Sequence, residues 1–154
     1  GGGGWEGLRA AIRRRMRDAG ESALGAFVRG RSDAQLSRTL GSGPGLRAMF
    51  KGMERAFQPE KSNGFEGEVQ YELSETRNGQ GDWVVRIAGD RVTTEPGRAT
   101  NPVVTMRMSV PVFARLAVRE LHPGKAMIEG KMQVEGDFAA AARLGEMFGA
   151  DSLV

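Results

Sequence analysis

The sequence predicts an α+β domain in which a β-sheet is covered by helices on one of its faces. Three observations predict it. Apolar residues recur at three- and four-residue spacing from Leu46 to Phe57, the period drops to two from Phe65 onward, and later strands alternate with further helical stripes. A chain of 154 residues can bury its own core, and 40% apolar with 27% charged residues places it among globular rather than disordered sequences.

The elements follow in order. Trp5, Leu8, Ile12, Met16 and Ala19 fall on one helical face, with Arg9, Arg13, Arg14 and Arg17 around the rest and Arg15 near the seam. Gly20 reads as a stop, and the four leading glycines are set aside from the fold. A second helical stretch from Ser22 to Arg29 would bury Leu24, Phe27 and Val28. Ser32 with Gln35 reads as a capping box opening a short helix to about Leu40. Gly41 to Gly45 reads as a linker, giving an N-terminal helical extension over residues 1–41 and a folded domain over 46–150.

Leu46, Met49, Phe50, Met53 and Phe57 form the next helical stripe, which Pro59 terminates by pushing its predecessor out of helical geometry. Phe65, Val69, Tyr71 and Leu73 then alternate with Glu66, Glu68, Gln70 and Glu72, so that one strand face is buried and the other wet. Asn78 to Gly81 turns into a strand facing inward with Trp83, Val85 and Ile87, and Gly89-Asp90 turns into a third with Val92 and Thr94. Residues 96–101 cross over to a fourth strand carrying Val104, Met106 and Met108. Ser109 caps a helix with Pro111 in its first turn and Phe113, Leu116 and Ala117 inward, and His122-Pro123-Gly124 ends it. Ala126, Ile128, Gly130, Met132 and Val134 alternate with Glu129, Lys131, Gln133 and Glu135 as a fifth strand. Asp137 caps a final helix with Phe138, Ala141, Ala142, Gly145 and Phe148 inward.

Composition removes several kinds of chemistry. There is no cysteine, so disulfides and thiolate catalysis are out, and a reducing cytoplasm is the expected location. The one histidine, His122, stands before a proline at a helix end, where a turn role is expected rather than a catalytic or metal-ligating one. The carboxylates Glu66/Glu68 and Glu129/Glu135 point to the wet face, which does not raise pKa values for acid–base work. Gly41–Gly45 lacks the lysine and flanking strand of a phosphate loop. No metal, cofactor or catalytic residue is expected.

Charge is uneven. Residues 1–60 hold eleven Lys/Arg against six Asp/Glu, whereas residues 61–154 hold eleven against thirteen, together giving the net +3. The basic first helix, through Arg9, Arg13, Arg14 and Arg17, suits an anionic membrane surface or an acidic protein, or it docks on its own domain or a second subunit. Nucleic acid is not expected, because no recognised binding module accompanies the arginines. Monomer and homodimer both remain open.

From Gly64 to Phe148 the chain resembles the sterol carrier protein type 2 domain. The likeness is carried by Gly64-Phe65-Glu66-Gly67-Glu68-Val69-Gln70-Tyr71-Glu72-Leu73, by Trp83 before Val84-Val85, and by Thr105-Met106-Arg107-Met108-Ser109 leading to Phe113. It continues in His122-Pro123, Ala126-Met127-Ile128-Glu129-Gly130-Lys131 and Gly136-Asp137, and the helix Leu46–Phe57 looks like the lead-in of bacterial stand-alone members. The resemblance implies a mixed five-stranded sheet whose helix-covered side encloses an apolar cavity for a fatty acid, acyl-CoA, sterol or phospholipid, without catalytic residues.

Eight methionines, flexible and polarizable, suit an adaptable pocket as well as ordinary core filling. The expected lining is Phe50, Met53, Trp83, Val85, Met106, Phe113, Met132 and Phe148. Binding, and transfer between membranes, of an apolar small molecule is the expected function. The alternatives are an accessory subunit working through its basic helix, and an enzyme using the same cavity.

Overall fold

The structure, a computed structural model, describes residues 3–149. The sheet is built from β1 (Glu66–Ser74), β2 (Asp82–Ala88), β3 (Arg91–Pro96), β4 (Val104–Ser109) and β5 (Met132–Gly136), in the spatial order β3-β2-β1-β4-β5. β1 pairs antiparallel with β2 and parallel with β4, and the outer pairs β2–β3 and β4–β5 are antiparallel. The register aligns Tyr71 with Trp83 and Met106, Val69 with Val85 and Val104, and Met108 with Met132. One face is therefore apolar across all five strands, and the fold is the mixed α+β arrangement that the alternation and the resemblance led us to expect.

The other face is a lattice of opposite charges. Arg86 bridges Glu68 on β1 and Glu95 on β3, Arg98 reaches Glu72 and Asp82, and Arg107 joins Glu72 to Glu135 on β5. These pairs are largely exposed, so water and salt screen them and each adds little to stability. Their main effect is to keep that face wet. Gln70 departs from the pattern. It sits on this polar face yet is fully buried, because the crossover after β3 folds over it. Its amide nitrogen lies 3.0–3.1 Å from the carbonyl oxygens of Tyr71, Trp83 and Gly97, and its amide oxygen accepts the Ala99 N–H at 2.7 Å.

Helices α3 (Gly43–Ala56), α4 (Val110–Ala117) and α6 (Phe138–Met147) cover the apolar face. Each opens on a side-chain cap: Ser42 accepts from Gly45 N–H, Ser109 from Val112 N–H, and Asp137 from Ala140 N–H. Leu46, Met49 and Phe50 bury the inner face of α3, and Thr94 on β3 donates to Glu54 on α3 at 2.6 Å. Upstream lie α1 (Gly3–Val28) and α2 (Asp33–Leu40). Ser32 and Gln35 form the expected capping box on α2.

Several expectations are corrected here. Gly20 does not stop the first helix, which runs unbroken from Gly3 to Val28 and joins the two predicted stretches. A single glycine inside a helix costs only about 1 kcal/mol, which the flanking turns tolerate. Gly3 and Gly4 are already helical, while Gly1 and Gly2 lie outside the described residues. The linker at Gly41–Gly45 is only a corner, because Ser42 caps α3 at once and Gly43 to Gly45 form its first turn. A Cβ on Gly45 would lie 2.2 Å from the Thr39 carbonyl oxygen, so only glycine lets α2 and α3 approach this closely. Val28, Leu36 and Leu40 belong to the same core as the strands, so packing continues across the boundary drawn at residue 41. The far end of that domain, Ala150, lies outside the described residues.

The segment after α4 differs most. His122 does not merely end a helix. It caps a new one, α5 (Pro123–Ile128), by accepting the Gly124 N–H at its Nδ1. Residues 126–128 are therefore helical rather than strand, and Ile128 is 89% exposed instead of buried. Gly130, at φ +73°, turns the chain into β5, where alternation then holds: Met132 is buried, while Lys131 and Glu135 are exposed. In α6 the inward residues are Ala140, Ala141, Leu144 and Met147, whereas Phe138 is 59% exposed and Ala142 is exposed too. The helix is turned by about one residue from the predicted phase.

Candidate functional site

The interior between sheet and helices is built around Phe50. Its position on the buried stripe of α3 sets the ring against β1 and β2. There it stacks on Trp83, with centroids 4.4 Å apart and planes 5° from parallel. Tyr71 meets it edge-on at 5.6 Å, and Phe113 from α4 closes the group at 5.2 Å from Phe50 and 5.5 Å from Tyr71. Such ring pairs contribute about 0.5–1.5 kcal/mol each beyond simple burial.

The expected lining residues are thus placed as follows. Phe50, Trp83 and Phe113 come together in the aromatic cluster, and Val85 is buried two residues along β2. Met106 lies beside Tyr71 in the sheet register, and Met132 beside Met108 at the β4–β5 edge. Met53, Met106 and Val134 are only partly buried where they pack on the core. Phe148 stands apart from the cluster. It follows the last turn of α6, and its ring meets Phe57 at 5.5 Å. Tyr71 is a central member that the lining prediction left out, although it shares the inward stripe with Val69 and Leu73.

The inward polar groups are Thr94, bound to Glu54, and the Tyr71 phenol. Burial pushes the Tyr71 pKa up to about 12 from the ordinary 10, because the phenolate would lose its water. Tyr71 is the sole tyrosine of the sequence, so its ionisation can be followed directly by tyrosinate absorbance. The expected titration midpoint is about 12, with none of the absorbance change near 10 while the fold is intact. Since the folded pKa lies above the unfolded one, stability is fully present below about pH 10 and falls as pH rises towards 12. A midpoint near 10 in folded protein would place the phenol in water.

On the wet side Glu129 is held below its ordinary carboxylate range by a hydrogen bond from Lys131, the opposite of what a general acid needs. Surface recesses among the described residues include the following two. One, of about 400 Å³, is lined by Leu46, Arg47, Asp82, Trp83, Pro96 and Gly97 among others, so that it shares Leu46 and Trp83 with the wall of the interior. The other, of about 360 Å³, lies by Arg107, Ser109 and Lys131. No described helix is long and apolar enough to cross a membrane.

These features define an α+β domain whose helix-covered sheet face is an aromatic and methionine-rich interior. The chain belongs to the SCP-2 sterol transfer family, whose model matches residues 50–149. Hydroxysteroid dehydrogenase-like protein 2 of Xenopus laevis is 27% identical over 128 residues, covering 82% of this chain and 29% of that protein. The chain therefore spans less than a third of that relative. The palmitated SCP2L2 of Aedes aegypti shares the fold at a TM-score of 0.54 and 22% identity, over 68% of this chain and 94% of that one. The inverting sec-alkylsulfatase Pisa1 of a Pseudomonas species does so at a TM-score of 0.60 and 17% identity, over 70% of this chain and 17% of that enzyme.

Proposed function

We propose that the domain binds an apolar, lipid-like small molecule between the sheet and its helices and exchanges it without chemical change. The observation that carries this reading is the inner sheet face, which meets the Phe50–Trp83–Phe113 cluster and on which, among the described residues, Thr94, bonded to Glu54, and Tyr71 supply the hydroxyls. The palmitated state of the Aedes protein supports a long-chain lipid as the ligand class. Entry requires side chains to part. Met53 and Met106 are flexible and incompletely buried, and the recess beside Trp83 shares that residue with the cluster. Burying roughly 400 Å² of ligand at about 25 cal/mol per Å² gives on the order of 10 kcal/mol before the losses of association. Several kcal/mol are lost on association, so the expected affinity is on the order of micromolar, which suits exchange.

A test combines native mass spectrometry of protein purified without detergent with displacement of a fluorescent fatty acid. The expected result is a co-purified lipid mass and saturable displacement. Met106→Trp and Met132→Trp should weaken the probe by tenfold or more, and because both side chains already pack on the core the overfilling should also cost about 1–3 kcal/mol of stability. Two unfolded variants with no selective loss of binding would mean that these positions are solid core, and the site would have to be sought elsewhere.

A further inference from the structure

We propose that the N-terminal part of α1 is a peripheral docking surface for an anionic lipid bilayer. Trp5, Leu8, Ile12 and Met16 are 68%, 51%, 50% and 62% exposed, making four of the six large exposed hydrophobics among the described residues. At about 100° per residue they fall within roughly 80° of the helix circumference, which makes one continuous apolar strip. Leu24 and Val28, which anchor α1 to the core, lie roughly 120–160° around from its centre. The strip therefore points away from the side by which the helix is fastened, and docking on its own domain, one of the expected arrangements, is not what the structure shows.

The charges beside the strip select the occupant. Residues 3–20 contain five arginines against two acidic residues. By the same helical spacing Arg9 and Arg15 flank the strip on opposite sides, where their stems can lie along lipid while the guanidinium groups reach phosphates. None of the five pairs with a carboxylate among the described residues. A second copy of the helix fits poorly. Continuing the seam Trp5–Leu8–Ile12 in heptads places Arg15 at the next core position, which would bury an unpaired cation between two like-charged helices. Trp5 at one end of the strip has the amphipathic ring favoured at a membrane interface. A bilayer accepts strip and arginines together, with the helix lying in the plane of the headgroups.

The test uses the full chain and two vesicle preparations, phosphatidylcholine alone and phosphatidylcholine mixed with phosphatidylglycerol. Co-sedimentation measures binding, and tryptophan emission reports insertion, because Trp5 is exposed and Trp83 is buried. The expected result is binding to the anionic vesicles with a blue shift, little binding to neutral ones, and weakening by salt. The triple variant R9Q/R13Q/R15Q should bind about a hundredfold more weakly. Ile12→Asp should lose the blue shift, and circular dichroism should show both variants folded, since the altered side chains are exposed. Met106→Trp should dock normally even where it loses the fatty-acid probe, which separates this surface from the interior site. Equal binding to both vesicles, or binding unchanged in the triple variant, overturns the proposal. So does failure of the folded protein to bind either vesicle, with an acidic protein then the partner indicated. A concentration-dependent dimer that shields Trp5 without any vesicle binding would overturn it in favour of a second copy.

Discussion

Replacing Phe50 with alanine is expected to lower the unfolding free energy by about 3–5 kcal/mol. The ring is fully buried and touches Trp83, Tyr71 and Phe113 at once, so its removal deletes contacts to two strands and to α4 together. Neighbouring rings are fixed by the sheet register, which limits collapse into the void. Urea denaturation followed by circular dichroism measures the loss. Phe138→Ala supplies the contrast, since that ring is mostly in water and its removal should change stability by no more than about 0.5 kcal/mol. If the two variants lose similar amounts, the phase of α6 or the placement of Phe50 is wrong. In Phe50→Ala that still folds, a fluorescent fatty acid should bind more tightly than to the parent, because the vacated volume no longer has to be opened.

Gln70→Glu should cost about 3–5 kcal/mol at neutral pH, although the side chain keeps its shape. Three carbonyl oxygens surround the amide nitrogen, and a carboxylate there would face them without a proton to donate. The protonated acid can still donate to one carbonyl and accept from the Ala99 N–H. The folded pKa of the introduced group must therefore lie above its unfolded value of about 4.3. The sign follows from that difference. Stability relative to the parent is best retained below about pH 4 and declines by up to about 1.4 kcal/mol per unit as pH rises above it, until the folded pKa is passed. Paired denaturation curves for variant and parent from pH 4 to 8 test this, and a gap that stays constant with pH would show that the site is hydrated.

Much of this architecture was legible in the residues because the sheet is covered on one face only. Alternation in Phe65–Leu73, Trp83–Ile87 and Val104–Met108 assigned inward and outward sides correctly, and Ser32, Ser109 and Asp137 marked helix starts, whereas the Ser42 cap was hidden in a glycine-rich stretch that reads as linker. Gln70 was not legible. Its spacing puts it on the polar face, and only the returning crossover, a tertiary event, covers it. The stretch 126–130 misled because Ala126 and Ile128 continue the two-residue rhythm of β5, while the stronger local signal was Pro123 at the first position of a helix. Four of the eight expected lining residues, Trp83, Val85, Met106 and Met132, lie on the inner sheet face, and three more, Phe50, Met53 and Phe113, lie on α3 and α4. Phe148 alone is set elsewhere, because a one-residue change of helix phase carries an end residue far from its expected neighbours. The stacking of Phe50 on Trp83 depends on how α3 crosses the sheet, which no periodicity encodes.

The Gln70 clasp also bears on how quickly the chain finds its fold. Of the four described strand pairings, β1–β4 alone is parallel, and Val69 must locate Val104 across the whole meander and crossover. β3 reaches β2 through the tight turn Gly89-Asp90 and β2 reaches β1 through residues 75–81, so both can assemble from near neighbours. Closing the long loop precedes the reward from β4, which makes this pairing the most demanding of the four in chain entropy. Gln70 lies on β1 and holds Gly97 and Ala99, a few residues before β4 begins. Once those bonds form, the search left to β4 is short, and a static buried amide becomes a device that shortens the time spent with an open sheet edge.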